Sequence, residues 1–179
     1  ENSHPWKKRN VVIRQRKKEA DISAKILGVT KLYHWDYPDG SLLKQIKEKP
    51  ISNEILKVIK KYKPTKVFTH SRDDAVYPDH IAVHKSTVQA FDTYNASLAE
   101  TKKAELFTFN IWALSILNRN KPQLHVDIST TFELKKKAIA CFKSQGVALM
   151  QLWPTIFYKA IVNGFRRDTK YAEHFFKIR

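Results

Sequence analysis

At residues Lys66–His70 the chain reads Lys-Val-Phe-Thr-His, a short run of the kind that forms strands buried in parallel sheets. A helix is predicted over His80–Tyr94, and further strands are predicted at Leu106–Trp112 and Leu124–Ile128. Strands that alternate with helices favour a Rossmann-like, three-layer α/β/α fold with a mostly parallel sheet.

Other elements are predicted on both sides of this region. A first helix carries on one face Ile13, Ala20, Ala24 and Leu27, and it ends at Gly28. A strand is predicted at Leu32–Tyr37, and it is followed by a turn at Tyr37–Gly40. Two further helices are predicted to begin after the N-caps Ser52 and Ser129, and another helix is predicted at Leu149–Val162. The tail Tyr171–Ile178 fits either an edge strand or a short helix.

Composition favours one folded domain, which we assign to residues 1–179. A hydrophobic fraction of 42% and an aromatic fraction of 12% exclude the disordered class. No run reaches the ~20 apolar residues that cross a bilayer, so no transmembrane segment is predicted. The single cysteine, Cys141, cannot form an intrachain disulfide, and we expect a reducing compartment and a cytoplasmic protein.

The chain is strongly basic, with 33 Lys and Arg against 17 Asp and Glu and a formal net charge of +16. Such a balance suits an acidic partner: a nucleic acid, an anionic lipid surface, or a phosphorylated or carboxylated substrate. Much of the excess lies in helical stretches such as Lys135–Lys137, where a solvated helix face is the simpler interpretation. Because no nucleic-acid motif is recognisable, we expect no specific nucleic-acid partner.

Potential metal ligands are concentrated in the loop after the first strand. Residues 70–80 read His-Ser-Arg-Asp-Asp-Ala-Val-Tyr-Pro-Asp-His, and His84 lies one helical turn further on. In parallel sheets, ligands bind where loops leave the carboxyl ends of strands, and imidazole and carboxylate groups are ligands of catalytic zinc. A plainer interpretation makes Asp79 a helix cap, His80 a surface residue and His84 a packed or solvent-facing side chain.

Four segments occur in an order that matches a known family. They are Arg16-x-x-Glu19 with Ala24–Val29, then Tyr37–Gly40, then Lys63–His70 followed by Asp73 or Asp74 and by Tyr77–His80, and finally Val126–Ser129 with Lys137-Ala138, Ser144-Gln145 and Tyr171–Glu173. This order resembles the PIG-L/LmbE-type N-acetylglucosaminyl deacetylases. The resemblance implies a hydrolase that removes the acetyl group from an N-acetylated amino sugar or glycoconjugate. It also implies Zn²⁺ or another divalent metal as cofactor, and relatives often form homo-oligomers.

The resemblance also assigns roles to individual residues. It implies that His80 is a metal ligand, that Asp79 is a catalytic carboxylate behind the metal ligands, and that Arg16 lines the substrate site. Tyr77 stands where the family has the first His of a His-Pro-Asp-His segment, which stabilises the tetrahedral intermediate. A tyrosine hydroxyl can also donate a hydrogen bond there, so we expect either a changed acid group at Tyr77 or a site that has lost catalysis.

One family segment has no counterpart here. The other metal ligands and the general base of the family come from an early Ala-His-Pro-Asp-Asp segment. Ser3-His4-Pro5 is similar to its start, but Trp6 and Lys7 stand where the aspartates belong. We therefore expect that the chain is N-terminally incomplete, lacks the first strand with its ligand loop, and binds zinc poorly by itself.

Two other functions stay open. A degenerate, inactive family member could serve as a basic binding module, which the net charge and Tyr77 support. The segment with Trp153, Ile156, Phe157 and Ile161 beside Lys159, Arg166 and Arg167 could instead form an interfacial helix on a membrane, although core packing is the simpler interpretation.

Overall fold

The computed structural model describes residues 9–74, 77–111 and 122–179. The helices are α1 (Arg9–Ile26), α2 (Leu42–Gln45), α3 (Ile51–Tyr62), α4 (Pro78–Ala96), α5 (Phe132–Ala140) and α6 (Gly146–Phe165), with short 3-10 turns at Glu100–Lys102 and Lys143–Gln145. The strands are β1 (Lys66–His70), β2 (Glu105–Phe109), β3 (Gln123–Asp127) and β4 (Ala172–Lys177). Ser3-His4-Pro5 and the predicted strand end at Trp112 lie outside the described residues. Within the described ranges, no helix has the length and apolar character needed to cross a membrane.

The described strands form one sheet in the order β1-β2-β4-β3. β1 and β2 are parallel, with Lys66 opposite Glu105. β4 is antiparallel to β2, with Thr108 opposite Phe176. The α/β class is therefore confirmed, but the predicted mostly parallel sheet is wrong for these strands, because β4 enters between β2 and β3 in the reverse direction.

β4 also runs antiparallel to β3. The amide of Ile128 donates to the carbonyl of Tyr171 at 3.0 Å, and at the other end the amide of Lys177 donates to the carbonyl of Pro122 at 2.9 Å. The tail is thus an interior strand, whereas the sequence favoured an edge strand or a helix. The three-layer, Rossmann-like arrangement stays a prediction.

The first helix forms as predicted but ends at Ile26, two residues before Gly28, whose φ of 69° is a left-handed conformation that glycine adopts at low cost. On the face that carries the predicted apolar residues, Ile13 and Leu27 are exposed, while Glu19 of the same helix is buried. The carboxylate of Glu19 accepts hydrogen bonds from the backbone amide (3.0 Å) and hydroxyl (2.6 Å) of Ser144. A polar contact therefore holds α1 against the turn at Lys143–Gln145.

The strand predicted at Leu32–Tyr37 does not form. Asp36 has a φ of 57°, a left-handed conformation that interrupts an extended chain. Side chains of this segment pair with α1 instead, through Asp36 with Lys17 and His34 with Asp21. Its residues are therefore held by ion pairs and not by a sheet.

Both predicted serine caps are also wrong. Ser52 lies buried inside the first turn of α3, one residue after the helix begins. The N-cap of α5 is Thr131, because the hydroxyl of Ser129 donates to the Asp127 carboxylate at 2.6 Å. Short polar side chains can bind nearby groups in several ways, so their presence before a helix does not fix the cap.

The chain divides into two compact units, one of Glu1–Asp36 with His125–Glu173 and one of Tyr37–Leu124 with His174–Arg179. The core of the second unit contains Ile59, Ala90, Phe91, Tyr94, Ala104 and Leu106. The core of the first unit contains Ile128, Phe132 and Ala160, with Phe157 and Tyr171 packed against them. The assignment of residues 1–179 to a single domain stays a prediction.

Candidate functional site

The candidate site lies where β1 passes into α4. β1 ends at His70, and α4 begins with Pro78, whose fixed φ and missing N–H suit the first position of a helix. Asp79 and His80 therefore lie in the first turn of α4. This is the carboxyl end of a parallel strand, where ligands bind in α/β sheets.

Asp74 orients the imidazole of His80. The Nδ1 atom of His80 lies 2.8 Å from Oδ2 of Asp74, and the same oxygen accepts a hydrogen bond from the amide of Ile111 at 3.2 Å. The Asp74 side chain is 0% exposed, whereas that of His80 is 19% exposed. A carboxylate acceptor places the imidazole proton on Nδ1, so Nε2 presents its lone pair. Histidines that ligate metals are commonly held in this way.

Two further histidines surround this pair. The ring of His70 stacks on the ring of His80 with centroids 4.2 Å apart, and Nδ1 of His84 lies 2.8 Å from the carbonyl oxygen of His70. Burial and the neighbouring His80 lower the pKa of His70 to about 4. His70 is therefore neutral near pH 7 and supports the His80 ring without adding charge to it.

Asp79 accepts hydrogen bonds from two backbone amides. Its Oδ2 accepts from the amide of Gly40 at 2.6 Å and its Oδ1 accepts from the amide of Leu42 at 3.0 Å. These bonds fix the predicted turn at Tyr37–Gly40 and the start of α2 beside the first turn of α4. The structure thus gives Asp74, which sequence reasoning left without a role, the hydrogen bond to His80. The only hint of this role in the sequence is the pair of adjacent acidic residues, Asp73 and Asp74, that precedes His80.

Tyr77 lies next to His80 at the mouth of the loop. Its side chain is 46% exposed, and its ring centroid lies 5.4 Å from that of His80. Tyr77 is therefore an exposed residue whose ring lies beside that of His80. The backbone of Tyr77 is also the N-cap of α4.

Arg16 lies half-buried on α1, in the compact unit that does not contain His80. It lies close to Glu19, whose pKa is lowered. Burial alone would raise the pKa of Glu19, but the hydrogen bonds from Ser144 and Gln15 and the positive charge of Arg16 together have the larger effect. The predicted contact of Arg16 with a substrate stays a prediction.

The described residues fit one ligand of a metal site. His80 has the imidazole, the buried carboxylate behind it and the partial exposure that such a ligand needs. Across residues 9–74, 77–111 and 122–179, no group of three or more His, Cys, Asp or Glu side chains is placed to hold a metal ion. A catalytic zinc site uses three protein ligands, so His80 fits as one member of an incomplete set.

The sequence also matches a known protein family. Residues 1–91 match the model of PIG-L, described as GlcNAc-PI de-N-acetylase, over half of the chain. The chain belongs to the PIG-L family. The matched residues include Asp74, Asp79 and His80, so the candidate site lies inside the part that defines the family.

Solved structures share the fold of this PIG-L family chain. The N,N'-diacetylchitobiose deacetylase from Pyrococcus horikoshii matches with a TM-score of 0.72 and 23% identity, over 93% of this chain and 64% of that one. The 4-carboxy-2-hydroxymuconate hydratase from Pseudomonas putida KT2440 matches with a TM-score of 0.69 and 17% identity, over 98% and 75%. The zinc-inhibited form of teicoplanin deacetylase matches with a TM-score of 0.66 and 16% identity, over 92% and 73%. At these identities the likeness establishes the fold alone, and the fold hosts both deacetylases and a hydratase.

Proposed function

We propose that this PIG-L family chain serves a metal-dependent hydrolase that removes the acetyl group from an N-acetylated amino sugar or glycoconjugate. The proposal depends chiefly on one observation, the buried Asp74 carboxylate behind the partly exposed ring of His80 at the carboxyl end of β1. The family description supports the substrate class.

In this proposal His80 would hold Zn²⁺ or another divalent cation, and Asp74 keeps its ring in the required tautomer and orientation. A bound cation polarises an amide carbonyl and makes water a stronger nucleophile. The family resemblance implies further ligands from a His-Pro-Asp-Asp segment, and these 179 residues contain no such segment. The proposed deacetylation therefore requires a protein in which those further metal ligands are present beside His80.

The neighbouring side chains serve the same reaction. Tyr77 donates a hydrogen bond to the carbonyl oxygen of the substrate amide, where negative charge develops during attack. Asp79 acts as a positioning residue, because its bonds to Gly40 and Leu42 hold the loop beside His80. For Arg16, the family resemblance implies only that it lines the substrate site, and this stays part of the proposal.

The test measures acetate release by the complete protein from an N-acetylglucosamine-containing substrate, with Zn²⁺ supplied. We expect His80→Ala to lower kcat/KM by about 100-fold or more, because a metal ligand is lost. His34→Ala is the matched control, since His34 also pairs with an aspartate, Asp21, at 3.0 Å but on the exposed surface. The control variant should keep the wild-type rate.

Full activity of His80→Ala, or activity that survives removal of divalent metal by a chelator, would contradict the proposal. Acetate release also separates a deacetylase from a hydratase of the same fold, because adding water to a double bond releases no acetate. A cytoplasmic location, a homo-oligomeric state and the absence of a specific nucleic-acid partner remain proposals from the sequence.

A further inference from the structure

A groove opens on the protein surface beside the first turns of α3. Its volume is about 440 Å³, which lies in the size range of ligand-binding clefts in proteins. Its lining comes from residues 48–60, all of which belong to the second compact unit. This groove, here called the α3 groove, shares no lining residue with the candidate site around His80.

The lining of the α3 groove carries an excess of positive charge. It includes three lysines, Lys49, Lys57 and Lys60, and two glutamates, Glu48 and Glu54. Glu54 is already paired with Lys57, whose Nζ lies 3.1 Å from the carboxylate. Lys49 and Lys60 form no ion pair with any residue that the structure describes. Two cations are therefore available to a ligand, against one glutamate.

The surrounding surface strengthens this positive charge. Residues 44–63 contain seven lysines and two acidic residues. Lys44, Lys47, Lys61 and Lys63, which lie in this stretch but do not line the groove, are all exposed. Their charges act over roughly 8–10 Å at physiological salt, so they attract an anionic ligand towards the groove.

An amide and an aliphatic side chain lie among the lysines. With about 100° of rotation per residue, Asn53, Leu56, Lys57 and Lys60 fall within roughly 100° of the circumference of α3. The side-chain amide of Asn53 is exposed and can both donate and accept hydrogen bonds, as a peptide backbone requires. Leu56 is half-buried and packs partly against the core of its unit. The groove thus offers cations for carboxylates, an amide for a backbone and an apolar surface for one side chain.

This lining suits an acidic peptide better than other anionic partners. None of the lining residues, all of which the structure describes, is an arginine or an aromatic residue. Arginine forks grip phosphates in pairs and aromatic rings stack on bases, so a nucleic acid would find neither group in the groove. A second copy of a chain with net charge +16 would bring like charges together.

We propose that the α3 groove binds an acidic peptide segment of a partner protein. Lys49 and Lys60 bind carboxylates of the segment, Asn53 bonds to its backbone, and Leu56 contacts one of its aliphatic side chains. This inference is independent of the reaction proposed above.

The experiment is fluorescence anisotropy of two labelled peptides that are titrated with the full chain at low ionic strength. One peptide is acidic, Glu-Glu-Leu-Leu-Glu-Glu, and the other is its neutral counterpart, Gln-Gln-Leu-Leu-Gln-Gln. Wild type should bind the acidic peptide about tenfold more tightly than the neutral one. Lys49→Gln/Lys60→Gln should weaken binding of the acidic peptide by about five- to tenfold, because the two unpaired cations are lost.

Asn53→Asp is a second test, because it places a negative charge in the groove with little change in shape. It should also weaken binding of the acidic peptide by about fivefold or more. An acidic residue is favourable in the first turn of a helix, so this variant should keep α3 folded. Undiminished binding by Asn53→Asp would contradict the proposed site.

Lys18→Gln/Lys25→Gln is the matched control, because it removes the same charge from two exposed lysines of α1. It should bind the acidic peptide as wild type does, and circular dichroism should show the same helix content for every variant. Equal weakening by the control and by Lys49→Gln/Lys60→Gln would overturn the proposal, since net charge alone would then attract the peptide. Failure of wild type to distinguish the two peptides would overturn it as well. If an oligothymidine binds more tightly than the acidic peptide and loses that affinity in Lys49→Gln/Lys60→Gln, the groove belongs to a nucleic acid and the proposal is wrong.

Discussion

Asp74 lies six residues before His80 in the sequence, and its carboxylate oxygen Oδ2 lies 2.8 Å from Nδ1 of the His80 imidazole. The pair combines a fully buried acid with a partly exposed base. A buried carboxylate without a partner is costly, so the bonds from His80 and from the amide of Ile111 also stabilise the loop. At this scale, structure and proposed chemistry depend on the same contact.

Asp74→Asn tests this contact. The amide retains the shape of the carboxylate but loses its charge, so it holds the His80 ring less firmly and lowers the basicity of Nε2. We expect metal affinity and acetate release by the complete protein to fall by about 10- to 100-fold. Asp73→Asn is the matched control, because it changes the same group one position away, where the carboxylate faces Ser71. Equal losses in both variants would argue against a specific role for Asp74.

Tyr77→Phe tests the hydroxyl beside His80. If this hydroxyl donates a hydrogen bond to the developing oxyanion, its removal should lower kcat by about 100-fold with little change in KM. Tyr77→His should restore much of the rate and make it fall under acidic conditions where imidazole is protonated. An unchanged kcat for Tyr77→Phe would exclude the hydroxyl from the reaction.

At the scale of elements, the helices α3 and α4 and the strand β1 follow from local patterns in the sequence. His80 could be singled out because a dense ligand loop follows a buried strand. The carboxylate partner of His80 could not be predicted, because the choice between Asp73 and Asp74 depends on how the loop folds. The direction of β4 could not be predicted either, since its pairing with β2 joins residues about seventy positions apart. Long-range pairing leaves no local signal in a six-residue strand.

Gly164→Ala tests the close packing at the end of α6. The new methyl group would meet the carbonyl oxygens of Thr169 and Lys170 at 2.7 and 2.8 Å, so the backbone must shift. We expect the free energy of unfolding to fall by about 1–3 kcal/mol in urea titrations. Gly146→Ala is the control: nothing lies within 4 Å of its added Cβ and its φ of −51° is helical, so its stability should be unchanged or slightly higher. Equal destabilisation by both would contradict the close contact.

Glu105 gives the sheet a dependence on pH. Hydrogen bonds from Lys177 of β4 and Lys66 of β1 lower the pKa of Glu105 to about 2, below its ordinary 4.5. Its contribution to stability is therefore complete above about pH 4.5 and is lost as the pH falls towards 2. Because the side chain is 35% exposed, solvent screening limits the contribution to no more than about 1 kcal/mol.

Unfolding experiments between pH 6 and pH 2 should therefore show a smaller loss of stability for Glu105→Gln than for wild type. Glu54→Gln is the comparison, since its ion pair with Lys57 lies within one exposed helical turn and should matter less. If Glu105→Gln loses stability on acidification as steeply as wild type does, the two lysines do not stabilise the carboxylate.

At the scale of the whole molecule, the chain combines an α/β scaffold of the PIG-L family with a strong positive charge. The candidate site around His80 uses only a few residues of the second compact unit. The positive charge can be counted from the composition, but the partner that it attracts cannot be predicted from it, because a basic chain suits several acidic partners.

The central claim is that Asp74 presents His80 to a divalent metal that the reaction requires. The most direct measurement is the metal content of the complete protein after dialysis against trace Zn²⁺, determined by elemental analysis for wild type and His80→Ala. We predict about one zinc per wild-type chain and a marked loss in the variant, which should keep its wild-type circular dichroism spectrum. Stoichiometric zinc in both proteins would contradict the assignment of His80 as a ligand.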